Sequence, residues 1–142
     1  MAQKHDCTAE LRSVSLAATP ARISAMHLFE SHNQPLDALS LVDALAKQGV
    51  DRVTAFRILN TFVEKKILRK IELREGKSRY ELVNRGDHHH FVCRCCDQII
   101  DIKDTIVPQA IRKIEKQYDV TVTDHSLEFF GLCLSCQRKG SN

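Results

Sequence analysis

Apolar residues recur at helical spacing through the first 64 positions and then switch to alternation. Thr8 to Ser13 reads as a short helix capped by Thr8. Thr19-Pro20, a capping threonine with proline at the first helical position, opens a second helix. Its apolar residues Ile23, Met26, Leu28 and Phe29 run to about Ser31. His32-Asn33-Gln34-Pro35 ends it. Asp37 caps the next helix, in which Leu41 and Leu45 form an i, i+4 stripe and Gly49 supplies the stop. Asp51 caps a helix over 52–64, with Val53, Phe56, Leu59, Phe62 and Val63 as its apolar face and Arg52, Arg57 and Asn60 on its outer side. Then the period becomes two. Leu68 to Leu73 and Ser78 to Leu82 alternate on either side of the turn Arg74-Glu75-Gly76-Lys77. Three helices and a basic hairpin is the order of a winged helix-turn-helix, and also of other small α+β domains that carry a hairpin.

Val83 to Asp87 reads as a hinge. Beyond it, His90-Phe91-Val92 and Ile99 to Ile102 predict two strands joined through a cysteine-rich turn. Asp104 or Thr105 caps a helix from Ile106 to about Tyr118, with Val107, Ile111 and Ile114 as its buried face and Pro108 tolerated in the first turn. Val120 to Thr123 predicts a third strand, leading toward Leu127-Glu128-Phe129-Phe130. The chain therefore reads as α+β, with one domain over 1–82, a hinge over 83–87 and a small α/β domain over 88–142. A unit of about 55 residues has little core of its own, so it needs a staple and gains from a partner subunit that covers its sheet.

Composition adds limits more than identity. The 142 residues are 43% hydrophobic and 27% charged, as in ordinary globular proteins. No apolar run approaches the ~18 residues that cross a bilayer, and the polar start Met1 to Asp6 predicts no secretory signal. The expectation is a cytoplasmic chain whose thiols stay reduced, so that cysteines serve metals rather than disulfides. The net charge of +3 is placed unevenly. Residues 1–84 hold 13 Lys and Arg against 10 Asp and Glu, whereas residues 85–142 hold 8 of each, so a nucleic-acid surface belongs to the first half.

The chemistry concentrates between Asp87 and Cys96. Cys93-x-x-Cys96 and Cys133-x-x-Cys136 together offer the four soft ligands of tetrahedral structural zinc. The spacing between the pairs exceeds that of a compact ribbon, so the site would close a whole subdomain. Cys7 and Cys95 fall outside the pattern and read as free thiols. If Asp87 to Val92 is extended, His88 and His90 point to one face and Asp87 and His89 to the other. Glu81 and Asp101 are sensible partners for His88 and His90 around a first-row divalent ion, and His125 for Asp87 and His89. On the helix over 52–64, Arg57 suits a base edge or phosphate, and Arg52 and Thr54 suit phosphates near its start. Arg74, Lys77 and Arg79 make the hairpin basic.

These features together resemble the ferric uptake regulator (Fur) family of metal-dependent bacterial repressors. The resemblance spans roughly residues 16–136. It rests on Leu16 to Arg22, Val53 to Leu59, Gly76 to Leu82, the stretch Asp87 to Cys96, His125-Ser126-Leu127 and Gly131-Leu132-Cys133. It implies an N-terminal winged-helix DNA-binding domain, a hinge, and a C-terminal α/β dimerisation domain with zinc on the four cysteines. It further implies a regulatory site at the hinge formed by His88, His90 and Glu81, with His32 and sometimes Asp101. Its DNA contacts would come from Arg22, Arg52, Thr54, Phe56, Arg57 and Lys77, and its partners would be a second subunit and a palindromic double-stranded operator, with no membrane. The chain departs from the family pattern in five places, one of them a loop around His32 that is shorter than in iron-sensing members. Phe56 replaces the usual tyrosine, Ala17 and Ala18 stand where a basic residue is common, and Asp97 stands where glycine usually follows the first cysteine pair. Pro108 and Gln109 occupy the place of an acidic ligand to the second face.

Relatives that sense zinc tend to carry a cysteine between the hairpin and the histidines, and Leu82 to Asp87 contain none. Peroxide sensors tend to carry aspartate where this chain has Glu81. Iron(II) is therefore favoured, with zinc, manganese, nickel and peroxide responses as alternatives. A reading of another class is a zinc-dependent hydrolase on an open histidine site, with Glu81 or Asp101 as base. No separate substrate-binding subdomain is evident for it, and four cysteines would close the zinc site, so the expectation is a regulator and not an enzyme.

Overall fold

The computed structural model describes residues 6–73, 76–83, 88–103 and 106–140. The chain divides into two compact units, Met1–Asn84 and Arg85–Asn142. In the first, α1 (Cys7–Ser13), α2 (Pro20–Ser31), α3 (Ala38–Ala46) and α4 (Arg52–Glu64) precede the hairpin of β1 (Leu68–Glu72) and β2 (Ser78–Leu82). Helix starts are set locally, by side chains that accept from backbone N–H groups lacking a helical partner. Thr19 accepts from the Arg22 N–H, Asp37 from Ser40 and Asp51 from Thr54. At α1 the expected cap is corrected. Asp6 accepts from the N–H groups of Thr8 and Ala9, and Thr8 lies inside the helix. A carboxylate there also gains from the helix dipole, which a threonine hydroxyl does not.

The core of this unit runs from Leu11 through Met26, Phe29, Leu41 and Leu45 to Leu59, Phe62 and Leu82. The apolar face expected for α4 is corrected as well. Ala55, Ile58, Leu59 and Phe62 are buried, whereas Val53 is 60% exposed and Phe56 only partly covered. Large side chains suggested the first stripe, but close helix packing favours the small Ala55. In the hairpin, Leu68 pairs with Leu82 and Glu72 with Ser78. Leu36 bridges Tyr80, tying the segment before α3 to β2. The Leu73 N–H donates to the Lys77 carbonyl at 2.7 Å across the turn, where Gly76 takes φ +71°. Arg74 and Glu75 lie outside the described residues.

The second unit contains β3 (His89–Cys93), β4 (Ile99–Ile102), α5 (Ile106–Tyr118), β5 (Glu128–Gly131) and α6 (Leu134–Lys139). The sheet order is β4-β3-β5, with β4 antiparallel and β5 parallel to β3. Two expectations are overturned here. Val120 to Thr123 is not a strand: the Val122 N–H donates to the Glu115 carboxylate at 2.9 Å, so α5 takes up that backbone donor, and the third strand forms at Glu128–Gly131. Among its described residues α5 buries none, and Ile106, Ile114 and Tyr118 are exposed. The final helix α6 is not predicted by the sequence, because six residues following a cysteine cap carry little periodic signal. Asp87, most of the expected hinge and the proposed caps Asp104 and Thr105 lie outside the described residues.

Candidate metal centres and nucleic-acid interface

Cys93 ends β3, Cys96 follows in the turn, Cys133 is the N-cap of α6 and Cys136 lies in its first turn. The turn is built for convergence. Cys93 donates to the Gln98 carbonyl, the Asp97 N–H returns to the Cys93 carbonyl, and the Arg94 N–H reaches Gly131 on the neighbouring β5. Asp97 takes φ +58°, the left-handed conformation that glycine adopts most cheaply. The four Sγ atoms lie within 4.8 Å of one another. Sulfurs around tetrahedral zinc, at about 2.3 Å from the metal, stand about 3.8 Å apart, and Cys96 Sγ is 3.7 Å from Cys133 Sγ. The arrangement therefore fits zinc as a closed, four-thiolate site. The Cys133 N–H donates to Cys93 Sγ at 3.3 Å and holds that thiol down, to about 6. Bonding to the Cys133 sulfur pushes the Cys136 thiol up. Holding zinc thus needs protons to leave the remaining thiols, so affinity should rise with pH. Cys95 is exposed and free of disulfides.

The histidines alternate along the same strand. His88, His89 and His90 are all buried. The rings of His88 and His90 meet edge to face at 4.9 Å, whereas His89 lies beside His125 at 5.5 Å. In the β3–β4 register His90 stands opposite Asp101, with Nε2 3.8 Å from the carboxylate. Two imidazoles and a carboxylate suit a first-row divalent ion. Glu81, in the first unit, is buried on β2 and takes two hydrogen bonds from the cross-strand Arg69, the Nε one at 3.0 Å. His32 follows α2 and its Nδ1 lies 2.8 Å from the Leu28 carbonyl. A carbonyl only accepts, so in this contact Nδ1 is the donor.

On α4 the polar face comprises Arg52, Arg57 and Asn60, all exposed, with Val53 among them. Arg52 stacks over Phe56, 5.5 Å from its centroid, so the aromatic ring orients the guanidinium. Thr54 is committed to Asp51, which accepts from both its N–H and its hydroxyl. Arg22 donates through Nη1 to the Ala17 carbonyl at 2.9 Å. Lys77 is exposed at the hairpin turn. Sequence reasoning did not single out Arg69, which needs the hairpin register, and it set Val53 on the apolar face of α4, where the true rotation of the helix leaves it exposed.

Residues 13–130 match the profile of the Ferric uptake regulator family. A ferric uptake regulation protein of Neisseria meningitidis is 32% identical over 97% of this chain and 98% of its own length. The Vibrio cholerae ferric uptake regulator is similar in structure, with a TM-score of 0.76, 29% identity, and coverage of 90% of this chain and all of that one. The Pseudomonas aeruginosa ferric uptake regulator, solved with manganese, shares the fold at a TM-score of 0.80 and 22% identity, over 92% of this chain and 99% of its own. Two cysteine pairs closing on one point, alternating histidines and a helix with an arginine face thus come together in a chain that belongs to the ferric uptake regulator family.

Proposed function

We propose that the chain is a homodimeric, metal-dependent transcriptional repressor that binds palindromic double-stranded operator DNA when its regulatory metal is replete. The carrying observation is the pairing of buried His88 and His90 opposite Asp101, apart from the four-cysteine cluster. One strand then serves two metals. Cys93, Cys96, Cys133 and Cys136 hold structural zinc, while His88, His90 and Asp101, with Glu81 and His32 from the first unit, hold a regulatory divalent ion. Iron(II) is favoured, and manganese, zinc or nickel are the alternatives. Ligands drawn from two units make metal and operator binding mutually reinforcing, with a coupling of about 1–3 kcal/mol in switches of this kind. His89 and His125 offer two donors of a further site, whose expected third member, Asp87, lies outside the described residues.

The first unit would be the DNA-binding domain. Arg57 on the exposed face of α4 reads a base edge or phosphate, Arg52 is aimed by Phe56, and Arg22 and Lys77 reach the backbone. Thr54 contributes to phosphate binding through the ordered start of the helix. The second unit would be the dimerisation domain. Its uncovered Ile114, Tyr118, Phe129 and Phe130 are the apolar surface that a second copy would bury. Among the described residues no helix is long and apolar enough to cross a membrane, and a cytoplasmic location accords with reduced thiols. The test is a titration of operator binding with iron(II), manganese(II), zinc(II) and nickel(II) in turn, alongside elemental analysis of the purified dimer. One zinc per chain that resists dialysis, plus an exchangeable ion required for DNA binding, is expected. DNA binding indifferent to every ion contradicts the reading.

A further inference from the structure

The structure brings a second set of metal-type donors together in the first unit. Cys7 begins α1, and His27 and Glu30 stand at i, i+3 on α2, so the two share one helical face. Ligand atoms of all three lie within 4.8 Å of one another. Cys7 Sγ is 3.5 Å from Glu30 Oε1. A tetrahedral ion bound at about 2.3 Å to sulfur and 2.0–2.2 Å to oxygen sets those atoms about 3.5 Å apart. We propose that Cys7, His27 and Glu30 form a zinc-class metal site that ties α1 to α2, with a water completing four-coordination.

Access and charge both favour such an ion. Cys7 is buried while His27 is exposed, so the donors span the edge of the core and an ion can enter from solvent. A thiolate and a carboxylate neutralise a divalent charge, and the imidazole adds a neutral donor. Burial, followed by the charges of Glu30 and Glu10, raises the Cys7 thiol to about 11. In the metal-free chain this thiol is therefore protonated and a poor nucleophile, which distinguishes the cluster from a redox cysteine. The cysteine set aside by the CxxC pattern thus acquires a role independent of the regulatory site.

Cobalt(II) is a suitable probe, because thiolate coordination gives a sulfur-to-metal charge-transfer band that histidine and carboxylate ligands do not. The full-length chain, purified with its four-cysteine cluster loaded with zinc, is titrated with cobalt(II). The expected band saturates, is absent in Cys7→Ser, and needs at least tenfold more cobalt in His27→Ala and in Glu30→Gln. His27 is exposed, so its variant keeps the fold and isolates coordination from packing. Zinc(II) should also raise the unfolding midpoint of the parent chain more than that of His27→Ala. No band in the parent, an equal band in Cys7→Ser, or unchanged affinity in both α2 variants overturns the site.

Discussion

Asp97 shows how one backbone conformation can carry a measurable cost. It holds φ +58° between the first cysteine pair and β4, a conformation that glycine adopts most cheaply. Aspartate tolerates this conformation better than most residues, alanine does not. Asp97→Ala should therefore destabilise the zinc-loaded protein by about 1 kcal/mol, while Asp97→Gly should be neutral or better, as read by chemical denaturation. The four ligands behave differently. Structural zinc contributes roughly 10–16 kcal/mol of apparent binding energy, and the second unit's own buried cluster is made of Cys93, Cys133 and Cys136 with Phe91 against it. Cys133→Ser should cost zinc and the dimer together, by elemental analysis and sedimentation. A stable zinc-free dimer would remove the structural role.

At the scale of elements, α4 joins the core to the proposed DNA surface. Phe62 is fully buried, so Phe62→Ala should cost about 3–5 kcal/mol, a large part of the stability of a typical domain. Arg57→Ala should instead leave the melting midpoint unchanged and weaken operator binding by about 1–3 kcal/mol, read by titration. The caps add a pH dependence. Asp37 and Asp51 have carboxyls lowered from the ordinary 3.8; at Asp37, Ser40's hydrogen bonds outweigh the opposing effect of burial, and at Asp51 the Thr54 hydroxyl leads. Because the folded value is the lower one, their stabilisation is present above about pH 4 and is lost as pH falls through the folded values. Acid unfolding of Asp37→Asn should accordingly be less steep below about pH 4 than that of the parent chain. These starts were legible because a cap is a local event: Thr19, Asp37 and Asp51 each act within three residues. The rotation of α4 and the site of β5 were not. They depend on which helix packs against Ala55 and which strand β3 recruits, and neither partner is near in sequence.

For the whole molecule, the sequence already separated the cysteines from the histidines, since spacing governs the first and strand alternation the second. It could not supply the Arg69–Glu81 pair, which follows from hairpin register, nor the convergence of Cys7 with α2, which follows from helix packing. Nor could periodicity tell that, among the described residues, Ile106, Ile114 and Tyr118 of α5 stay exposed. That exposure motivates a further expectation: Ile114→Asp should yield a zinc-containing monomer in light scattering, whereas an unchanged dimer would place the interface elsewhere. Metal-dependent repression rests most on the division of labour along β3. Its most direct test is operator affinity of the zinc-loaded protein with and without iron(II), in the parent chain and in His90→Ala. Iron should tighten binding by roughly 5–150-fold in the parent and leave His90→Ala, still folded and zinc-containing, at its metal-free affinity; an iron response of equal size in both proteins would contradict a sensing role for the histidine face.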